Sequence, residues 1–393
     1  MSSRQLEARH RPSGFNSRFE GSPPEFAEYI ARCRDMLFKA HSALGTAKID
    51  KVVDGNAPFE LQPLAGFAPG RKKACRRGVL LVHGLTDSPY FMRYLAGFFQ
   101  QNGFRVLSVL LPGHGTQPGD LLDIRWQEWA KAVAYGTDRL AEGAGDIYLA
   151  GYSAGASLSV YQSLCDERVR GLFLFSPALR VSPLAAYSNL HKLYSWLYPP
   201  GKWLTIKPDL DIYKYESFPK NAAAQMYALT REIEARSHSH GTGIPVFAAA
   251  SEDDMTASTA ATIEFVAQAR DPSSKLVLYT ANPDKPIRGI PDEKLERVSS
   301  VVPGQNIIGF AHTSILIPAD DPHYGMQGDY SNCLHYYPED MEKYSACMSR
   351  SGQILQGEIT EKNLQAGLLR RLTYNPNFDL LKASMLRFIE GLA

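Results

Sequence analysis

Short apolar runs alternate with amphipathic stretches along much of this chain, and the alternation begins abruptly at Gly78. Gly78–Val82, Phe104–Leu110, Asp146–Ala150, Val169–Phe175, Ile244–Ala250 and Lys275–Thr280 are apolar for most of their length, which predicts buried strands. Among them, Tyr90–Gln101, Trp126–Ala141 and Ala156–Cys165 are predicted as helices. Strands alternating with helices of this length need crossover connections, which give a mostly parallel sheet covered by helices on both faces. The fold class is therefore α/β, with chemistry expected at the carboxyl ends of the strands.

The flanking pattern is different. Residues 1–23 are polar, and Pro23-Pro24 opens Glu25–His41, where Phe26, Tyr29, Ile30, Cys33, Met36 and Leu37 recur at helical spacing. We divide the chain into an N-terminal extension with one helix, 1–77, and a core, 78–393. Within the core, 178–241 is set apart by its concentration of aromatic residues and leucines. Leu190, Leu193, Tyr194 and Leu197 share one helical face there, and Pro199-Pro200 stops the helix. Two further segments, 282–304 and 318–372, read as surface insertions, the first rich in proline and charge and the second in aromatic and acidic loops. No repeat of solenoid or propeller period is present.

Composition narrows the class. Lys and Arg (42) nearly cancel Asp and Glu (41) over 393 residues, leaving a net charge of +1. Such a balance offers no field of one sign, so neither nucleic acid nor an anionic membrane is an expected partner. The basic run Arg71–Arg77 reads as a solvated loop. No stretch approaches the roughly 18 apolar residues of a membrane span. The opening MSSRQLEARHRPSGF has no apolar run behind its positive residues, so we expect no secretory signal and a soluble, cytoplasmic protein. Five cysteines (Cys33, Cys75, Cys165, Cys333, Cys347) lack metal-type spacing. Cys333 and Cys347 flank a polar loop and could pair, but reduced thiols are the expectation without an export signal. No His-x-His or HExxH pattern is present, and neither a metal nor an organic cofactor is expected.

The candidate chemistry lies at Gly151-Tyr152-Ser153-Ala154-Gly155, directly between a predicted strand and a predicted helix. A pentapeptide of this form is weak alone. Its position is what matters: small flanking residues allow a sharp turn with the serine strained at its tip, and the helix N-terminus behind it favours developing negative charge. With Leu81-Val82-His83-Gly84-Leu85 and Leu111-Pro112-Gly113-His114-Gly115, the segment resembles the α/β-hydrolase superfamily, in its esterase and monoacylglycerol-lipase-like branch. The likeness is close over 78–160, looser over 169–312 and faint elsewhere.

That resemblance implies an α/β-hydrolase fold with a helical lid insertion at 178–241. It also implies an oxyanion hole formed by the backbone amides of Leu85 and Ala154, with His83 and His114 supporting their loops. The superfamily orders its catalytic residues Ser, Asp, His. After Ser153, the strand ending at Ala250 runs into Ser251-Glu252-Asp253-Asp254. In the family the acid stands three residues after the small residue that closes the strand. Ser251 takes that place, which selects Asp254 and leaves Asp253 as the alternative. His312, at the end of an apolar run, is the chosen base, with His323 and His335 as competitors. The resemblance thus implies a serine hydrolase of carboxylic esters with neutral, hydrophobic acyl groups, working through an acyl-enzyme. Tyr152, Leu193, Trp196 and Leu197 are candidate substrate contacts, in keeping with an apolar cover over a small ester substrate. A thioesterase, an amidase, an acyltransferase or an inactive ligand-binding fold would share much of this pattern.

Overall fold

Each apolar run that predicts a strand folds as one. The computed structural model describes residues 6–19, 25–64, 77–182, 185, 188, 195, 197–237, 242–349 and 353–392. They fall into two units: Met1–Gly171 with Arg180–Ser239, and Leu172–Leu179 with His240–Ala393.

The first unit begins with helices α1 (Phe26–Leu44) and α2 (Ile49–Asn56) and strand β1 (Phe59–Leu61). There follow β2 (Arg77–Val82), α3 (Arg93–Gln101), β3 (Arg105–Val109), α4 (Trp126–Ala141), β4 (Asp146–Tyr152) and α5 (Ala154–Cys165). Strand β5 (Val169–Phe175) belongs mostly to the second unit. The ribbon β6 (Trp203–Thr205) and β7 (Phe218–Pro219) then leads into α6 (Lys220–Ser237). The strand order is β1-β3-β2-β4. β2 is parallel to both β3 and β4, with Gly78 opposite Arg105 and Arg77 opposite Asp146. β1 is antiparallel to β3. Beyond its first residue, each of β2, β3 and β4 is buried along its whole length, as a sheet covered on both faces requires. Helix α5 is buried on every side from Ala154 to Val160, and it packs on β2, β4, α4 and α6. Its run of Ala, Gly and Ser fits that crowding.

The second unit continues with β8 (Val246–Ser251), α7 (Thr259–Gln268), β9 (Lys275–Thr280) and β10 (Leu295–Ser299). Its remaining elements are α8 (Met341–Met348), β11 (Leu355–Gly357), α9 (Glu361–Ala366), β12 (Leu369–Arg371) and α10 (Phe378–Gly391). Strands β5, β8, β9 and β10 lie in that order, all parallel. Phe388 of α10 closes the core against Phe173 and Phe247, at ring-centroid distances of 5.3 and 5.6 Å. Each unit thus contributes mostly parallel strands flanked by helices, the α/β class expected from the sequence.

Four findings differ from the sequence reading. The 1–77 extension carries two helices and an edge strand, not one helix, because Val52 and Val53 give α2 a buried face too short to stand out as a period. The segment 282–304 supplies β10, Leu-Glu-Arg-Val-Ser, whose partly exposed residues after Leu295 suit an edge. Residues 318–372 contain buried structure, and Cys333–Cys347 form a disulfide where reduced thiols were expected. The two sulfurs sit in a small apolar cluster with Tyr336, packed by Tyr344 and Met348. Cys33 and Cys165 are free thiols, while Cys75 lies outside the described residues. The helical face predicted at 190–197 lies largely outside the described residues, Leu193 and Trp196 included. Leu197 is described and is 71% exposed. No helix among the described residues is long and apolar enough to cross a membrane.

Candidate active site

Ser153 stands between β4 and α5 with φ 53° and ψ −114°, in a region that non-glycine residues rarely occupy. Such a conformation costs about 1–3 kcal/mol and persists only where its surroundings impose it. Here the imposition is steric. A Cβ on Gly151 would lie 2.3 Å from the carbonyl oxygen of Gly155, and one on Gly155 would lie 2.1 Å from that of Val82. Both positions are therefore closed to any side chain. The two glycines let α5 come down backbone to backbone on the end of β2, and the turn between them is left no room but the strained one. Ser153 itself is 8% exposed. Ala154 opens α5, among the helix amides that find no partner within the helix itself.

The loop after β2 is held as firmly. A Cβ on Gly84 would lie 2.3 Å from a carboxylate oxygen of Asp87, so any side chain there would have to displace that carboxylate. Leu85 follows, and then Thr86 at φ 69°, a second strained residue. The Thr86 carbonyl accepts from the Tyr215 amide at 2.9 Å, and the buried Asp87 pairs with Lys214 at 3.1 Å. Both supports come from the segment before β7, and nothing in the sequence marked them. His83 uses both ring nitrogens structurally: Nδ1–H donates to the Gly84 carbonyl at 2.9 Å, and Nε2 accepts from the Leu111 amide at 3.0 Å. Full burial, with His114 nearby, holds His83 well below the ordinary imidazole range. His114 donates to the Pro112 carbonyl at 3.0 Å, and burial pushes it down to about 4. Both histidines brace backbone. Tyr152 is buried, its ring stacked with Phe91 at 6.1 Å.

In the second unit β8 ends at Ser251, and the turn that follows presents Asp254. Its Oδ2 lies 2.7 Å from Nδ1 of His312, and its Oδ1 accepts from the amides of Thr256 and Ala257 at 2.7 and 2.8 Å. Burial opposes the charge of Asp254, but His312 and the two amides outweigh it and hold the carboxyl below its ordinary value. Since a carboxylate only accepts, Nδ1 of His312 carries the proton and Nε2 is left as the basic nitrogen. Asp253 faces elsewhere, accepting from Ser300 Oγ at 3.1 Å, and burial raises it. Of the two candidate acids, the turn brings Asp254 to the imidazole. His323 pairs with Asp329, so it too has a structural partner. The long interval between Asp254 and His312 is taken up by α7, β9 and β10, which accounts for the spacing.

Sequence reasoning passed over Glu358, buried to 1% exposure. Its Oε2 accepts from the backbone amide of His312 at 2.9 Å, and Arg371 pairs with its carboxylate at 2.9 and 3.0 Å. A Glu in a polar stretch far from any motif gives no signal in a single sequence. Among the described residues no cluster of three His, Cys, Asp or Glu is placed to hold a metal ion.

Known proteins share part of this sequence. The sequence model of the alpha/beta hydrolase family matches residues 79–322, more than half of the chain. A thermostable monoacylglycerol lipase of Bacillus sp. (strain H-257) is 29% identical over 174 residues, 44% of this chain and 69% of that protein. Among solved structures, one from a study of the metagenome-derived lipolytic enzymes LipS and LipT is 22% identical. It covers 58% of this chain and 91% of its own, with a TM-score of 0.48. A Paleococcus ferrophilus monoacylglycerol lipase is 17% identical over 57% of this chain and 88% of its own, with a TM-score of 0.41.

Proposed function

The chain belongs to the alpha/beta hydrolase family, and from that premise we propose that it cleaves carboxylic esters through Ser153, His312 and Asp254. Its enzyme class is carboxylic ester hydrolase, the class to which its monoacylglycerol-lipase relative also points. The observation that carries the reading is the strained serine at the head of a buried helix, enforced by two glycines that tolerate no side chain.

In the proposed cycle, Nε2 of His312 accepts the Ser153 proton as the hydroxyl oxygen attacks the ester carbonyl. Asp254 keeps Nδ1 protonated and stabilises the imidazolium. The Leu85 and Ala154 amides receive the oxyanion, a role worth about 3–4 kcal/mol per donor in comparable enzymes. The imidazolium then protonates the leaving alkoxide, which departs as the alcohol and leaves the acyl group on Ser153 Oγ. Water, deprotonated by the same nitrogen, attacks that ester, and its collapse releases the acid and restores the serine.

We assign the substrate to small esters with neutral, hydrophobic acyl groups, in accord with the relative's name and with the leucines and aromatics of 178–204. The test is hydrolysis of p-nitrophenyl esters from acetate to palmitate, with fluorophosphonate labelling of the folded protein. S153A should lose about 10⁴-fold or more in kcat and all labelling. Unchanged hydrolysis by S153A would sink the reading. A thioester or amide turned over faster than the oxyester of the same acyl chain would move it to a neighbouring activity.

A further inference from the structure

The carboxylate of Glu358 and the guanidinium of Arg371 form a clamp that reaches both members of the Asp254–His312 pair. Glu358 holds the His312 backbone amide through Oε2, and its Oε1 accepts from the Ile359 amide at 2.8 Å. Arg371 spans the carboxylate with Nε and Nη2, and Nη2 also donates to Thr256 Oγ1 at 3.0 Å. Thr256 is one of the two residues whose amides hold Asp254 Oδ1. One ion pair, its carboxylate buried and its guanidinium 21% exposed, therefore touches the backbone of the imidazole and the turn that presents its carboxylate. Taking a carboxylate out of water is costly unless it is paired and its remaining hydrogen-bond capacity is filled. Here the fork is bidentate, and the remaining partners are the His312 and Ile359 amides and the Thr256 hydroxyl.

The clamp is stitched in at several points. β11 and β12 pair in parallel around it, and Leu372 donates its amide to the Gly357 carbonyl at 3.0 Å. Thr313, next to His312, donates its hydroxyl to the Leu372 carbonyl at 2.9 Å. Asn363 donates its side-chain amide to the Glu358 carbonyl at 3.0 Å. Both charged residues lie beyond 79–322, the stretch shared with the family at large.

We propose that Glu358 and Arg371 are positioning residues for the proposed reaction, fixing the distance and angle between Asp254 and His312. The claim rests on the reading of His312 as the base. It gives a segment outside the family's common stretch a role at the Asp254–His312 pair. Removing the clamp should slow the chemical step and leave ester binding nearly unchanged, because neither residue is assigned to the substrate.

The test compares E358Q, R371M and the double variant with the natural protein, on one short-chain p-nitrophenyl ester. Each single variant should lose about tenfold in kcat, with KM within about twofold. The acid limb of the kcat/KM profile should move in opposite directions. E358Q removes a negative charge near the imidazole and disfavours its protonation, so its limb moves to lower pH. R371M removes the positive charge, and its limb moves to higher pH. A shift of about half a unit each way is expected, and near cancellation in the double variant. A purely structural pair would lower the amount of folded enzyme without opposite shifts. Should E358Q fail to fold, R371K carries the test: it keeps the charge but not the fork, so kcat falls while the limb stays in place. The low-field proton resonance of the His312–Asp254 hydrogen bond should weaken or move in every clamp variant. Unchanged kcat, limb and resonance in folded E358Q or R371K would overturn the clamp. If S153A retains full activity, the site reading fails first, whatever these variants do.

Discussion

The turn carrying Ser153 and the turn carrying Asp254 both close a parallel strand, yet they are built on opposite principles. The serine turn is local and steric. Everything that shapes it lies within five residues and the end of one neighbouring strand, and its determinants are the absence of side chains at Gly151 and Gly155. The aspartate turn is distributed and electrostatic. Asp254 is held by amides two and three residues on, by an imidazole 58 residues away, and through Thr256 by an arginine 115 residues beyond that threonine. Steric design leaves a compact trace in the sequence. Electrostatic design leaves single polar residues scattered through loops.

The largest effect that separates the two should come from Asp254. D254N keeps the shape of the turn but lets the side chain favour the wrong histidine tautomer, so kcat should fall by about 10⁴-fold. D253N, one residue away, should stay within about threefold, since its partner is Ser300. Equal losses in steady-state kinetics would erase the distinction between the two acids. The steric side is broken by G155A, whose new methyl group would meet the Val82 carbonyl oxygen at 2.1 Å. Backbone cannot swing aside as a side chain can, so we expect a loss above about 3 kcal/mol in chemical denaturation. A loss under about 1 kcal/mol would mean that the helix has latitude to rise.

A smaller contrast concerns acid. His10 and His114, in the first unit, are both pushed by burial down to about 4 from an ordinary 6.5. A group lowered in this way binds its proton more readily unfolded than folded. Its contribution to stability is therefore complete above 6.5 and is lost as the pH falls toward 4. Asp254 and Glu358, in the second unit, are lowered carboxyls, so their contribution is present above the ordinary carboxylate range and is lost only below it. Hydrogen exchange between pH 6.5 and 4 should thus reveal weakening in the first unit before the second. Parallel loss in both would show that the histidines are not the controlling groups.

How much of this was legible follows from the same contrast. The strands and most core helices could be read from apolar runs, because a sheet covered on both faces leaves little choice of residue. The serine turn could be read because glycine is the one residue that fits. Asp254 was reachable only through the family's spacing rule, as Asp253 is chemically identical and a single residue away. β10 was hidden because an edge strand carries charged residues among its apolar ones, as a surface loop does. Glu358 and Arg371 were unreadable in principle: an ion pair with a buried carboxylate has the same letters as a solvated one until the chain is folded. The disulfide was missed for another reason, since the expectation followed from compartment and the bond from proximity.

The backbone contact between α5 and β2 also bears on descent. Gly151 and Gly155 are demanded by the way the chain folds, whether or not Ser153 ever meets a substrate. A duplicated copy released from selection for catalysis could exchange its serine freely. It would lose its structure before it lost either glycine. In any lineage derived from this chain, the glycines would record that the fold survives, and the serine between them would record that the reaction does.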